Sequence, residues 1–389
     1  MTGLADRARF AVRRLTITDF RSYARLRLDP EGASVVLSGA NGAGKTNILE
    51  ALSLLVPGRG LRRARLSDIS RCPPGDAEPG PGFPWAVAVT ADGPDGLADL
   101  GTGFTPTVDG GAERRTVRIN GETERAQAAL AGVMSMHWLT PQMDRLFQDG
   151  APARRRFLDR LVFGWDPAHA GRVSAYEQAM RERLKLLRDT PNPDPVWLGA
   201  LEETMAARGI AVAAARTDVI GRLAGLTAES WGPFPGARLT LQGDVDAWLA
   251  GGPALQAEDR FKTALADGRA ADGRYGRTHT GPHRTDLLVH HAPKGEPAAR
   301  CSTGEQKALL IALVLANARV RAAEDGGVPV LLLDEVAAHL DAERREALFE
   351  GLNSLGAQVW FTGTDVATFA TLKRSAVFYK VADGVVSPQ

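Results

Sequence analysis

The sequence predicts an α/β fold carrying an antiparallel β subdomain and an inserted, mainly helical lobe. Three observations predict it. The apolar run Ser34-Val35-Val36-Leu37-Ser38 feeds a glycine-rich loop and then a helical stretch from Asn47 to Leu55. A second aliphatic strand, Pro329 to Leu333, ends in the carboxylate pair Asp334-Glu335. Between these two segments, residues 151 to 188 show helical periodicity and hold nine Arg or Lys against four Asp or Glu.

Taken in order, Val12 to Ile17 and Ala24 to Leu28 alternate apolar and polar residues around Asp19-Phe20-Arg21-Ser22-Tyr23. They read as edge strands of a small sheet leading into the strand at 34 to 38. The loop Gly39-Ala40-Asn41-Gly42-Ala43-Gly44-Lys45-Thr46 has the spacing G-x-x-x-x-G-K-[ST]. Its glycines let successive N–H groups turn inward on a polyphosphate, and the next helix adds its free N–H groups and positive dipole end. Lys45 reaches the β and γ phosphates, and the Thr46 hydroxyl is a ligand for Mg²⁺. In a chain with 42 glycines the competing reading is a plain strand-turn-helix connection. The Lys-Thr pair and both flanks favour a nucleoside triphosphate.

Pro57 to Arg65 is a basic connection, either a solvated face or a phosphate contact, with Arg62 and Arg63 as candidates for DNA. Residues 72 to 121 are rich in Pro and Gly. They contain the strands Trp85 to Val89 and Arg115 to Ile119 and a weakly ordered Pro73 to Pro84. Met136 to Leu139 reads as a strand opening onto Thr140-Pro141-Gln142, where Gln142 either touches Mg²⁺ and the water beside a γ phosphate or is simply solvated.

The character changes at Ala151. Helices continue from Val196 to about Leu226, with Leu201, Met205 and Ile210 on the apolar face. Arg154-Arg155-Arg156 is either a snorkelling fringe or a surface for the DNA backbone. A strand at Ala237 to Leu241 and a helix from Leu255 to about Leu265 follow. The expected division is residues 1–145 and 271–389 as the two parts of a nucleotide-binding head, with 146–270 as the inserted lobe. His279, His283 and His290 lack an accompanying Cys or carboxylate scheme, so no metal is expected there.

Ser302 and Glu305 have capping-box spacing at the start of the apolar helix through Ala318, and Ser302-Thr303-Gly304-Glu305-Gln306 is also a helix start suited to a γ phosphate. Asp334 and Glu335 emerge where α/β sheets bind ligands. Asp334 is assigned to Mg²⁺ and Glu335 to polarising the attacking water. Asp341 precedes a helix from Ala342 to Leu352. Gln358 to Thr362 forms a strand ending in the turn Gly363-Thr364-Asp365, and Ala376 to Val381 with a Gly384 turn closes the chain.

The 44% apolar and 24% charged composition is that of a globular protein. A net charge of +1 makes any nucleic-acid site a local patch. Cys72 and Cys301 are too few for a disulfide scaffold, which suggests a reduced compartment. The longest apolar run, Ala308 to Ala316, is too short to cross a bilayer, and no apolar signal core precedes Phe10. A cytoplasmic location, with no membrane partner, is expected.

The ordered set of phosphate loop, Gln142, Ser302 to Gln306, Asp334-Glu335, Ala338-His339-Leu340-Asp341 and Thr362 to Asp365 resembles the P-loop ATPase head of the ABC class, in its chromosome-maintenance and repair branch. Asp19 to Tyr23, Gly39 to Leu55, Arg154 to Asp159, Gly281-Pro282-His283-Arg284 and Ser302 to Leu309 are similar to the RecF family of bacterial recombination mediators.

The resemblance implies a weak, DNA-stimulated ATPase in which two heads sandwich two ATP molecules head to tail. Lys45 of one copy and Ser302, Gly304 and Glu305 of the other would touch the same nucleotide, with Asp341 and Asp365 beside it. It implies a homodimer formed on ATP, binding to gapped or junction DNA, release on slow hydrolysis, and work with RecO, RecR and RecA at the nucleoid. The family often has an acid where Thr285 stands, and transporter-type ATPases place His where Thr364-Asp365 stands. The other readings are an ABC module coupled to a transporter subunit, disfavoured by the absence of membrane elements, and a scaffold with a dead site, disfavoured by the intact Lys45, Thr46, Asp334 and Glu335.

Overall fold

The computed structural model describes residues 9–71, 83–106, 113–324 and 327–389. Cys72 and most of the segment from Pro73 to Pro84, like the residues before Arg9, lie outside that description. The chain packs as two units. One comprises Met1–Asp144, Gly232–Phe234 and Val314–Gln389, the other Arg145–Trp231 and Pro235–Leu313.

The first unit holds two six-stranded sheets. The antiparallel one contains β1 (Ala11–Phe20), β2 (Tyr23–Leu28), β4 (Trp85–Gly93), β5 (Gly96–Phe104), β6 (Arg115–Ile119) and β7 (Glu122–Glu124), in the order β2-β1-β4-β5-β6-β7. Leu15 and Ile17 of β1 are buried while Thr18 is exposed, as period-two alternation requires. β1 is not an edge strand as expected from the sequence, because β4 pairs along its other side and leaves only β2 at the edge. β5 was hidden in glycine- and alanine-rich sequence. It is a strand because β4 and β6 bond both of its sides.

The second sheet runs β14-β13-β3-β12-β11-β8. β3 (Ser34–Ser38), β8 (Met136–Leu139), β11 (Val330–Leu333), β12 (Val359–Gly363) and β13 (Ala376–Ala382) are mutually parallel, and β14 (Val385–Pro388) returns antiparallel on β13. Near-continuous burial of β3, β8, β11 and β12 explains why their sequences are mostly apolar and do not alternate with polar residues. Helix α1 (Lys45–Ser53) places Ile48 and Leu52 in one core with Leu15, Ile17, Val35, Leu37 and Trp360. Short α2 (Leu66–Ile69) and α10 (Ala342–Leu355) belong to this unit, and α9 spans Thr303–Ala323. No described helix is long and apolar enough to cross a membrane.

The second unit contains α3 (Ala151–Phe163), α4 (His169–Asp189), the 34-residue α5 (Pro195–Ala228), α6 (Asp244–Ala250), α7 (Ala254–Asp267) and α8 (Arg269–Tyr275). α5 starts with Pro195 in its first turn, and the Asp194 side chain accepts from the Val196 N–H. Met205 and Ile210 meet Tyr176, Phe261 and Leu265 in its core. The strand pair β9 (Ala237–Gln242) and β10 (Asp286–His291) also lies here. That pairing draws residues 271–313 into this unit, whereas the sequence division put them with the head.

The interior of this unit is partly ionic. Arg183, with no exposed surface, donates to Glu202 at 2.9 Å, Asp272 at 2.7 Å and the Leu265 carbonyl at 2.6 Å. Removing one side of a buried pair leaves the other charge uncompensated. Arg183→Ala is therefore expected to destabilise the protein by about 3–5 kcal/mol, read as a drop in urea midpoint. Glu203→Ala, at the exposed Lys262 pair, should cost no more than about 1 kcal/mol.

Candidate functional site

Parallel register brings four chain segments to one sheet edge. Gly363 pairs with Ser38, Leu333 with Phe361, and Leu333 with Leu139. The glycine loop, Asp334-Glu335, the Thr362 turn and Gln142 therefore all leave the carboxyl ends of neighbouring strands, where open α/β sheets bind ligands.

The loop takes a conformation that side chains resist. Gly39 has φ +154, and a Cβ there would lie 2.1 Å from the Val381 carbonyl oxygen of β13. Gly44 has φ +111, with the Tyr23 hydroxyl 2.8 Å and the Ser22 Oγ 2.9 Å from where its Cβ would stand. The buried Tyr23 hydroxyl donates to the Gly44 carbonyl at 3.1 Å, and Asn47 Nδ2 donates to Ser22 Oγ at 3.0 Å. The turn between β1 and β2 thus backs the loop, a role that the spacing of Asp19 to Tyr23 did not reveal.

Lys45 Nζ, almost fully buried, donates to the Gly39 carbonyl at 2.7 Å and the Ala40 carbonyl at 2.9 Å, and stands 3.4 Å from Glu335 Oε1. Thr46 Oγ1 donates to Asp334 Oδ1 at 2.9 Å. Thr362 Oγ1 donates to the same oxygen at 2.8 Å and accepts the Glu335 N–H at 2.9 Å. Glu335 has φ +54, a conformation rare for a non-glycine residue and common at functional sites. The sequence reading placed Thr362 in the final turn motif but gave it no role; the structure makes it a partner of Asp334. Its one signal is a hydroxyl inside an otherwise apolar buried strand.

Thr46 and Asp334 offer adjacent hard oxygen donors, the set that fits Mg²⁺ shared with phosphates. Gln142 is exposed in the short helical turn Pro141–Arg145 after β8. Asp341 and Asp365 are exposed and cap helices, Asp341 accepting from the Arg344 N–H at 2.8 Å and Asp365 from the Ala367 N–H at 2.9 Å.

In the second unit, Ser302 and Glu305 form the capping box. The Ser302 N–H and hydroxyl donate to Glu305 Oε2, each at 3.0 Å, and the Glu305 N–H returns to Ser302 Oγ at 3.4 Å. Lys294, 2.6 Å from Glu305, and the Ser302 donors hold that carboxyl at about 2. Gly304 lies in the same first turn.

The arginine candidates separate. Arg62 donates to Asn47 at 2.7 Å and Glu50 at 2.8 Å, beside the glycine loop, and Arg63 is exposed at φ +57. Arg154 is bidentate on Asp286 at 2.7 and 2.8 Å, Arg155 donates to the Thr285 carbonyl at 2.7 Å, and Arg156 is exposed.

The Gly281 to Arg284 turn is gripped from several sides. Tyr176 Oη and His283 Nδ1 are 2.6 Å apart, His283 Nε2 is 3.0 Å from the Thr278 carbonyl, and Arg216 donates to the Pro282 carbonyl at 2.7 Å. Arg216 is also bidentate on Asp159, which contacts His169 Nε2 at 2.9 Å. Burial raises the Asp159 carboxyl, but Arg216 and His169 outweigh it and hold the group below its usual range. Thr285, buried, donates to Asp246 at 2.6 Å, so an acid in its place would face a second carboxylate. His279 Nδ1 is 2.7 Å from Asp272, and no cluster of three or more metal-ligating side chains occurs among the described residues.

The RecF/RecN/SMC N-terminal domain model matches residues 11–387. The chain is 49% identical to the DNA replication and repair protein RecF of Mesorhizobium japonicum, over 97% of both chains. It superposes on a solved recombination mediator protein RecF with ATP, described in the RecFOR pathway, with a TM-score of 0.81 at 20% identity and 100% of both chains covered. An Smc head domain from Pyrococcus furiosus, bound to part of ScpA, gives 0.52 at 15% identity, covering 97% of this chain and 95% of that one. The fold is thus the mixed α/β fold of RecF and of SMC heads, which are ABC-type ATPase heads.

Two outcomes follow from the geometry. Gly39→Ala, whose Cβ would overlap the Val381 carbonyl, should abolish ATP binding measured by fluorescent-nucleotide titration. Burial pushes His283 from 6.5 down to about 4, so on acidification the unfolded chain takes up this proton first. Its contribution is complete above about pH 6.5 and is lost as pH falls toward about 4, on the order of 3 kcal/mol in all. His283→Gln should flatten that part of the stability–pH curve.

Proposed function

The chain belongs to the RecF branch of the RecF/RecN/SMC N-terminal domain family, and from that premise we propose that it is an ATP-dependent DNA-binding protein of recombinational repair. The observation that carries the reading is the Thr46–Asp334 hydrogen bond, which joins the phosphate loop to a carboxylate strand 288 residues away. The phosphates of ATP lie along the N–H groups of Gly39 to Thr46, with Lys45 on the β and γ groups. Thr46, Asp334 and Gln142 would hold Mg²⁺, which neutralises phosphate charge when bound. Glu335, kept 3.4 Å from Lys45 and tied through its N–H to Thr362, orients the attacking water.

Half of the site comes from a second copy. The helix start at Ser302, Gly304 and Glu305 belongs to a separate compact unit and suits a γ phosphate presented by another molecule. ATP then holds a head-to-tail homodimer together, the dimer retains gapped or junction DNA, and slow hydrolysis releases it. The RecFOR description of the superposed mediator supports work with RecO and RecR; RecA loading and a place at the nucleoid are further parts of the proposal.

Sedimentation of Glu335→Gln with and without ATP and gapped DNA tests the reading. ATP should convert the variant to a dimer that retains DNA, while ATP turnover falls about 10²–10⁴-fold. Equal DNA affinity with and without ATP sinks the proposal. Lys45→Met should lose both dimer and DNA.

A further inference from the structure

The turn that leads into β10 collects more positive charge than its carboxylates neutralise. Arg154 and Arg155 reach it from α3 and Arg216 from α5, and Arg284 is part of it. Each nearby acid is already engaged. Asp159 takes Arg216 and His169, Asp286 takes both arms of Arg154, and Asp246 takes the Thr285 hydroxyl. Among the described residues neither Arg155 nor Arg284 has a carboxylate within hydrogen-bond or ion-pair reach. Arg155 is half-buried and Arg284 exposed.

These two guanidiniums also feel each other. Burial lowers the Arg155 pKa first and the Arg216 charge adds to it; Asp159 and Asp286 oppose the shift from beyond ion-pair reach, and Arg284 adds a smaller lowering. His283 is lowered chiefly by burial, with Arg155 and Arg284 contributing. Such a cluster is relieved by an anion that accepts charge-assisted hydrogen bonds. The backbone around it is already held, by Tyr176 and Thr278 through His283 and by Arg216 through the Pro282 carbonyl, so binding needs little ordering.

We infer that Arg155 and Arg284 form a phosphate-binding site for the DNA backbone on the second unit. The inference rests on the DNA-binding function proposed above and moves its contact away from Arg154, whose two donor arms are bound to Asp286. His283 is a positioning residue that holds the turn, and Arg284 touches the ligand.

The test is titration of the full chain with ATP and a gapped duplex over a range of salt concentrations, comparing wild type, Arg284→Glu and Arg284→Lys. Arg284→Glu should weaken DNA binding about ten-fold or more and reduce the slope of log affinity against log salt by about 1, the change for one lost phosphate contact. Arg284→Lys should keep most of the affinity. If Arg284→Glu lowers helix content by circular dichroism, the neutral Arg284→Gln takes its place with the same expected direction. An unchanged affinity and slope overturn the site. Loss of the ATP-dependent dimer in Arg284→Glu also overturns it, since the arginine would then serve a contact between copies. A wild-type chain that retains no DNA with ATP sinks the proposed function itself, an outcome distinct from failure of the variant alone.

Discussion

Asp334 emerges from β11 as a buried carboxylate that takes hydroxyl hydrogen bonds from Thr46 at the start of α1 and Thr362 at the end of β12. An ionised carboxylate removed from water is costly unless hydrogen bonds replace its hydration. Both partners arrive only if β3, β12 and β11 keep their parallel register, since a slip of one residue would turn Thr362 to the opposite face of the sheet. The buried apolar residues of those strands hold that register. Packing and site chemistry are one constraint here.

The glycine loop is shaped by what surrounds it as much as by its own residues. β13 closes on Gly39, the Ser22-Tyr23 turn closes on Gly44, and Lys45 is held by loop carbonyls with Glu335 alongside. A side chain at either glycine would force backbone or ring atoms apart, so the Ser22-Tyr23 turn of the antiparallel sheet, remote in sequence from the carboxylates, helps to shape the glycine loop. Glu335 at φ +54 adds backbone strain where the chemistry is proposed to occur.

The second unit uses a different device. Its buried arginines are cross-links: Arg183 of α4 ties Glu202 of α5, Leu265 of α7 and Asp272 of α8 together, and Arg216 of α5 joins Asp159 of α3 to the Pro282 carbonyl of the turn before β10. Such networks contribute less stability than an apolar core of equal volume, but they are directional. The Arg216 network fixes the conformation of the turn that carries Arg284 and accepts from Arg155.

The sequence by itself determined the α/β class, the glycine loop between β3 and α1, the helices between residues 151 and 228 and the strand that ends in Asp334-Glu335. Each is a local signal: fixed spacing, period-two or period-3.6 hydrophobicity, or an apolar run ending in acids. Tertiary structure alone decided that β1 lies inside its sheet, that β5 is a strand despite its glycines, that Thr362 completes the carboxylate, and that Arg154 is an internal ion pair. It also supplied partners for the Gly281 to Arg284 turn. The physical reason is the same in each case. Strand pairing, hydroxyl donation and charge pairing depend on which distant residues meet, and no local window carries that information.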